Sequence, residues 1–387
     1  MLLQWQHHDQ DVQAEWRSES ASQPPRKLQV VDDSTPADVA YHLACEGTAL
    51  VWQGDFQNAR HLLEALKRRL DKPARSHSAK ARQRKKSEAQ ASAFPQAFHR
   101  YRLTQAQRAR VLNSLLVVLQ PDYSMAMRRA PDWREACTAA WGAPQNEGVQ
   151  QVVALRELLG VVSAHEWRKK GVLVPALGAQ SRIHPHYGVF SPVRGEYLDL
   201  VVQAPLPNAS EAWDIGVGTG VLSALLLHRG VERVVATDVS PRALACAADN
   251  FQRLGVQERV QLQSASLFPQ GQAGLIVCNP PWLPGKAVTT LEQAVYDEDS
   301  CMLRGFLQGL RAHLLPGGEG WLILSDLAEH LGLRSREQLL QWIEQAGLRV
   351  AERLDTRPRH GKVHDASDAL HAARAQEVTS LWRLVAA

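Results

Sequence analysis

Apolar positions are sparse over residues 1–36, which are polar and rich in Gln, Ser and Pro. Such a stretch buries too little apolar surface to offset chain entropy, and a disordered tail is expected there. From Ala37 the apolar residues return at helical spacing, predicting two helices up to Leu70. In the second, Asp55 is placed as N-cap, and Phe56, Ala59, Leu62, Leu63, Leu66 and Leu70 share one face. Thr104 with Gln107 forms a capping box ahead of Ala109, Leu112, Leu115, Leu116 and Leu119, and Pro121 stops that run. Two further helices, at Pro131–Trp141 and Val149–Val162, complete an expected α-helical domain over residues 37–163. Its Ala40-Tyr41, Gly47, Leu50 and Gly54-Asp55-Phe56 pattern has the flavour of a tetratricopeptide-like hairpin, but no second copy follows.

The period changes at residue 164. Val172-Leu173-Val174-Pro175 and Arg182-Ile183-His184-Pro185 flank Gly178 and predict a β-hairpin linker over 164–190. Over 191–387 short apolar runs alternate with amphipathic ones. Strands are expected at Val234–Thr237, Val260–Gln263, Leu275–Cys278, Trp321–Leu324, Leu348–Leu354 and Val378–Leu384. Helices fall between them, one opened by Ser240-Pro241 and stopped by Gly255. This rhythm predicts an α/β fold, a doubly wound, mostly parallel, seven-stranded sheet, behind the N-terminal α-helical domain.

The 387 residues suffice for two such domains, and the net charge of +4 matters only through its distribution. Between Lys67 and Lys86 lie Lys67, Arg68, Arg69, Lys72, Arg75, Lys80, Arg82, Arg84, Lys85 and Lys86 against the single acid Asp71. This basic insertion, taken as residues 67–93, is either a solvated linker or a phosphate-binding arm. Lacking interleaved aromatics, an arm of this kind adds affinity without reading sequence. No basic segment precedes an apolar run at the N-terminus, and no apolar run reaches the ~18 residues of a membrane span. The five cysteines form no Cys-x-x-Cys pair. We therefore expect no metal site, no membrane partner and a reduced, cytoplasmic setting.

The candidate chemistry lies between Asp214 and Trp282. Gly216, Gly218 and Gly220 let the backbone turn sharply and approach a ligand. Their G-x-G-x-G spacing departs from the dinucleotide G-x-G-x-x-G, which weakens a nicotinamide reading. Asp238 follows the expected strand Val234–Thr237, about twenty residues past the first glycine, where a nucleoside-binding fold places an acid against ribose. Asn279-Pro280-Pro281-Trp282 follows a buried strand. As a bland feature it is a strand terminator. As a functional one it is a rigid acceptor shelf: the prolines fix φ and remove donors, leaving the Asn279 side-chain oxygen and the Pro280 carbonyl to accept both hydrogens of a planar NH2 beside the flat face of Trp282. His184, His186, His360 and His364 read as surface or loop residues, Asp297, Glu298 and Asp299 as a solvated helix entry, and Trp321 as core.

In this order, Asp214 with its glycine turn, Asp238 and Asn279-Pro280-Pro281-Trp282 resemble the class I S-adenosylmethionine-dependent methyltransferases, in the small-domain branch that methylates planar amino nitrogens. The resemblance covers Glu166 to the C-terminus and implies a Rossmann-like domain with S-adenosylmethionine as cofactor. It implies that Asp214, Gly216, Gly218, Gly220, Asp238 and Asn279 contact the cofactor, and that Asn279, Pro280 and Trp282 act in catalysis. Phe190, Glu196, Pro281 and Trp282 would line the substrate side. The acid often found beside adenine is Ser266 here. Three functions follow as alternatives: methylation of an exocyclic base amine in ribosomal or transfer RNA, favoured by the basic run; glutamine N5-methylation of a translation factor; or a non-catalytic RNA-binding module that kept the fold. The second branch carries Tyr where this chain has Trp282.

Overall fold

The computed structural model describes residues 1–7, 10–20, 22–71, 94–144, 148–193, 195–359 and 368–387. The chain divides into two compact units, Met1–Glu166 and Trp167–Ala387.

The first unit is mixed α/β, which corrects both the disordered tail and the all-helical domain. Strands β1 (Leu2–His7), β2 (Gln10–Arg17) and β3 (Lys27–Val31) lie within residues 1–36. With β4 (Thr48–Trp52), β5 (Leu115–Leu119) and β6 (Gln151–Ala154) they form a six-stranded sheet ordered β1-β2-β6-β5-β4-β3. The polar composition of the first strands hides an alternation in which Leu3, Trp5 and Ala14 are buried. The central runs Ala49–Trp52, Leu115–Leu119 and Val152–Ala154 are apolar on both faces. Leu50, Trp52, Leu115, Val117, Leu119 and Val153 pack with helix α1 (Ala37–Cys45) and helix α2 (Phe56–Asp71), whereas Ala49, Val51, Leu116, Val152 and Ala154 enter a second core on the opposite face. A strand covered on both sides has no period of two, and its short apolar run is indistinguishable from a buried helix by pattern.

Helix boundaries move accordingly. Thr104 sits inside helix α3 (Phe94–Leu112), where its hydroxyl donates to the Arg100 carbonyl at 2.9 Å, so it caps nothing. Helix α4 is Arg134–Trp141, and helix α5 begins only after β6, over Leu155–Lys170. Asp55 does open α2: its carboxylate accepts the Gln57 amide at 2.9 Å and pairs with Arg128 and Arg129, and those partners hold this buried acid well below the usual carboxylate range.

The second unit begins with the expected hairpin, β7 (Val172–Leu173) against β8 (Arg182–Ile183). After helix α6 (Glu196–Gln203) come β9 (Glu211–Ile215), helix α7 (Val221–His228), β10 (Arg233–Asp238), helix α8 (Pro241–Leu254) and β11 (Val260–Ser264). Then follow β12 (Ala273–Cys278), the short ladder of β13 (Leu283–Pro284) with β14 (Tyr296–Asp297), helix α9 (Cys301–His313), β15 (Leu314–Ser325), helix α10 (Arg336–Gln345), β16 (Leu348–Thr356) and β17 (Thr379–Ala386). The seven-stranded sheet is ordered β11-β10-β9-β12-β15-β17-β16, parallel except where β17 runs antiparallel between β15 and β16. Along it Ala212, Val234, Val277, Trp321 and Ile323 enter one core, and Trp213, Val235, Ile276, Leu322 and Leu324 the other. Both faces are therefore covered. The strand order reverses at β9, whose neighbours are β10 and β12, so the crevice beyond its C-terminal end is the switch point where α/β sheets bind ligands.

Candidate active site

The residues at this switch point are set by strand register. β10 pairs with β9 through Thr237 and Ile215, and β12 pairs with β9 through Cys278 and Ile215. The glycine turn, Asp238 and Asn279 thus leave three adjacent strands at one level. The amides of Gly216 and Val217 both donate to the Thr237 carbonyl, at 2.9 and 2.8 Å, and Gly220 closes the turn onto the Val217 carbonyl at 2.8 Å. Gly216, Gly218 and Gly220 all have positive φ, at 80°, 51° and 81°. At Gly220 the reason is also steric, because a Cβ would stand 2.6 Å from the Phe251 ring.

Two acids flank the turn. Asp214 is fully buried; its Oδ2 accepts the Ser223 amide at 3.0 Å and the Ser223 hydroxyl at 2.6 Å. Its Oδ1 has no hydrogen-bond partner. Burial pushes this carboxyl up to about 6; Ser223 opposes the rise and the charge of Asp238 adds to it. Asp238 is half-buried: Oδ2 accepts the Gly218 amide at 3.1 Å and Oδ1 the Ser240 amide at 2.9 Å. The acid that would hold a ribose therefore also braces the turn, and each oxygen keeps a further lone pair.

At the shelf, Pro280 is buried, while Asn279, Pro281 and Trp282 are half-buried. The Trp282 indole donates from Nε1 to Asn279 Oδ1 at 2.9 Å. The oxygen expected to take substrate hydrogens alone is shared with the chain's own tryptophan. The indole is a donor only, so this bond also fixes which end of the carboxamide is oxygen. The Trp282 ring packs against both cores of the unit, leaving less of its face open than a free stacking surface would have. Glu196 is buried at the start of α6, Phe190 is 42% exposed, and Ser266 is exposed just beyond β11. Arg194, between Phe190 and Glu196, lies outside the described residues, as do His360, His364 and the basic run from Lys72 onward.

Asp297 departs from the solvated helix entry expected of it. It is buried, and its carboxylate accepts the Met302 amide at 2.9 Å and the Leu303 amide at 3.1 Å, closing the first turn of α9. Burial raises its pKa against the pull of those amides and of Arg334. His184 and His186 lie in the loop after β8 and are half-buried. His184 Nδ1 donates to the Arg168 carbonyl at 2.6 Å, and His186 Nε2 meets Asp249 at 3.0 Å. Trp321 is core.

Two further buried polar residues, Arg334 and Asn250, belong to this region. Arg334, 3% exposed, reaches the Trp282 carbonyl at 3.5 Å while its Nε has no partner, and burial lowers its pKa. Nothing in its neighbourhood in the sequence marks it. Asn250 is fully buried on α8 three residues after Ala247, so a polar residue at an inward helical position was the available signal.

The described residues suit a nucleoside cofactor bearing a cationic amino acid tail. An unpartnered buried carboxylate oxygen at Asp214, a backbone turn free of side chains and an acid at the end of the next strand are the groups such a molecule needs.

Residues 180–341 match the family model described as methyltransferase small domain. Among curated relatives, the release factor glutamine methyltransferase of Moorella thermoacetica is 36% identical over 149 residues, covering 33% of this chain and 53% of the relative. That of Cereibacter sphaeroides is 32% identical over 170 residues, covering 40% and 58%. The tRNA1(Val) (adenine(37)-N6)-methyltransferase of Shewanella sediminis is 25% identical over 179 residues, covering 43% and 73%. The chain thus spans a little over half the length of the first two relatives.

Proposed function

We propose that this chain is a class I S-adenosylmethionine-dependent methyltransferase that transfers a methyl group to a planar amino nitrogen, a reading supported by the match of residues 180–341 to the methyltransferase small-domain model. The observation that carries the proposal is the register Cys278↔Ile215, which sets Asn279-Pro280-Pro281-Trp282 beside the glycine turn. S-adenosylmethionine, when bound, supplies a methyl on a sulfonium centre; the protein supplies placement. The Gly216, Gly218 and Gly220 turn approaches the methionine part of the cofactor, Asp238 holds the ribose hydroxyls, and the free Asp214 oxygen attracts the cationic tail. Ser266, a neutral hydroxyl at the adenine side, leaves that contact to be made without charge.

Asn279 Oδ1 accepts one hydrogen of the amine on the lone pair left beside the indole, and the Pro280 carbonyl accepts the other. Pro281 stiffens the shelf, and Phe190 and Glu196 border the substrate side. Pinning both hydrogens turns the nitrogen lone pair out of conjugation, so orientation rather than proton transfer provides the acceleration. The test is Asn279→Ala: turnover at saturating cofactor should fall by about 100-fold. Unchanged turnover would leave the shelf without a role and favour a binding module.

For the acceptor, the ten basic residues between Lys67 and Lys86 favour an RNA base amine. The release factor glutamine methyltransferases among the relatives favour a second reading, the side-chain amide of a translation protein. Either acceptor presents the same planar NH2. Among the described residues no helix is long and apolar enough to cross a membrane. The cysteines outside any disulfide fit the reducing cytoplasm in which both acceptors occur.

A further inference from the structure

We infer that Asn250 is a positioning residue for the cofactor, coupling the glycine turn to the segment that leads into the substrate side. The inference rests on the cofactor reading above and concerns a residue that touches no ligand itself. Asn250 is fully buried on α8, and both polar atoms of its carboxamide bond to backbone, with Nδ2 also 3.6 Å from the Cys246 sulfur. Its Oδ1 accepts the His184 amide at 2.7 Å. Its Nδ2 stands 3.3 Å from the His184 carbonyl, 3.0 Å from the Thr219 carbonyl and 3.1 Å from the Cys246 carbonyl. The first two contacts make the side chain pair with His184 as a neighbouring strand would. The third holds the carbonyl between Gly218 and Gly220, the centre of the turn.

The rest of that helix face works in the same direction. Phe251 fills the space a side chain at Gly220 would need, and the Cys246 sulfur accepts the His186 amide at 3.3 Å. Asp249 receives His186 Nε2 at 3.0 Å and Arg168 at 3.2 Å. One face of α8 therefore grips residues 184–186, a few residues ahead of Phe190, and the turn at Thr219 together. Asn250 is the side chain that contacts both. A buried amide whose partners are mostly backbone carbonyls and amides has no cheap replacement, since each partner left behind is desolvated.

Two substitutions separate positioning from general stability. Asn250→Ser can still return a hydrogen bond to the carbonyl four residues back in its own helix, but cannot reach His184 or Thr219. Asn250→Asp keeps the shape and the bond from the His184 amide while turning an oxygen toward the Thr219 carbonyl. In the full chain, calorimetric titration with S-adenosylhomocysteine should show Kd raised about tenfold or more in both variants. Turnover at saturating cofactor should stay within about twofold of wild type, and a single thermal transition should persist.

Wild-type affinity in both variants would overturn the inference, and so would a fall in turnover at unchanged Kd. Failure of both variants to fold would make Asn250 structural and overturn it equally. A wild-type chain that takes up no S-adenosylhomocysteine overturns the proposed function itself, and this inference with it, an outcome distinguished by requiring no variant.

Discussion

At the scale of single residues, Asp214 holds the most consequential charge. Its carboxyl titrates at about 6 against an ordinary value of 3.8 because burial disfavours the anion more than Ser223 supports it. A raised folded-state pKa means that the protonated form is favoured by folding. This contribution is complete below about pH 4 and is lost as pH rises through about 6. Asp214→Asn removes the titration, so the variant should gain stability relative to wild type across that window, by up to about 3 kcal/mol. Urea unfolding of both proteins at pH 4 and pH 7 measures it; parallel pH dependences would show that Asp214 is charged and paid for in some other way. Asp214, Asp238 and Asn279 were legible in the sequence because each sits at a fixed offset from a glycine turn or a strand end. The indole bond to Asn279, the burial of Asp297 and the place of Arg334 were not, since each depends on a partner distant in the chain or on a rotamer.

At the scale of elements, the turn between β9 and α7 is held by shape as much as by hydrogen bonds. Gly220→Ala meets both a φ of 81° and the Phe251 ring at 2.6 Å, and it should cost at least about 1 kcal/mol. Adding Phe251→Leu should recover the steric part and leave the backbone part, so the double variant should melt above Gly220→Ala alone. A double variant melting lower would show that Phe251 supports the turn by packing that outweighs the clash. The elements of the second unit were readable because helices opened by Ser-Pro or Ser-x-x-Gln alternate with buried runs of four to six residues. Those of the first unit were misread for a physical reason. Leu115–Leu119 and Gln151–Ala154 are covered on both faces and carry no alternation, and β1 and β2 alternate behind a Gln-rich surface that imitates a disordered composition.

At the scale of the whole molecule, the second unit carries the proposed chemistry, and the basic run in the first bears on the acceptor. If that run engages RNA, affinity for structured RNA should fall steeply with salt, and neutralising the five basic residues from Lys80 to Lys86 should flatten the slope. Salt-independent binding, or a slope untouched by the substitutions, would move the acceptor to protein. Methyl transfer by this chain is read out by tritiated label passing from S-adenosylmethionine into total RNA and total protein of cells lacking it, with wild type and Asn279→Ala side by side. Label should enter one fraction, RNA ahead of protein, and depend on Asn279; no label in either fraction, or equal labelling by both proteins, would rule out a methyltransferase acting through this shelf.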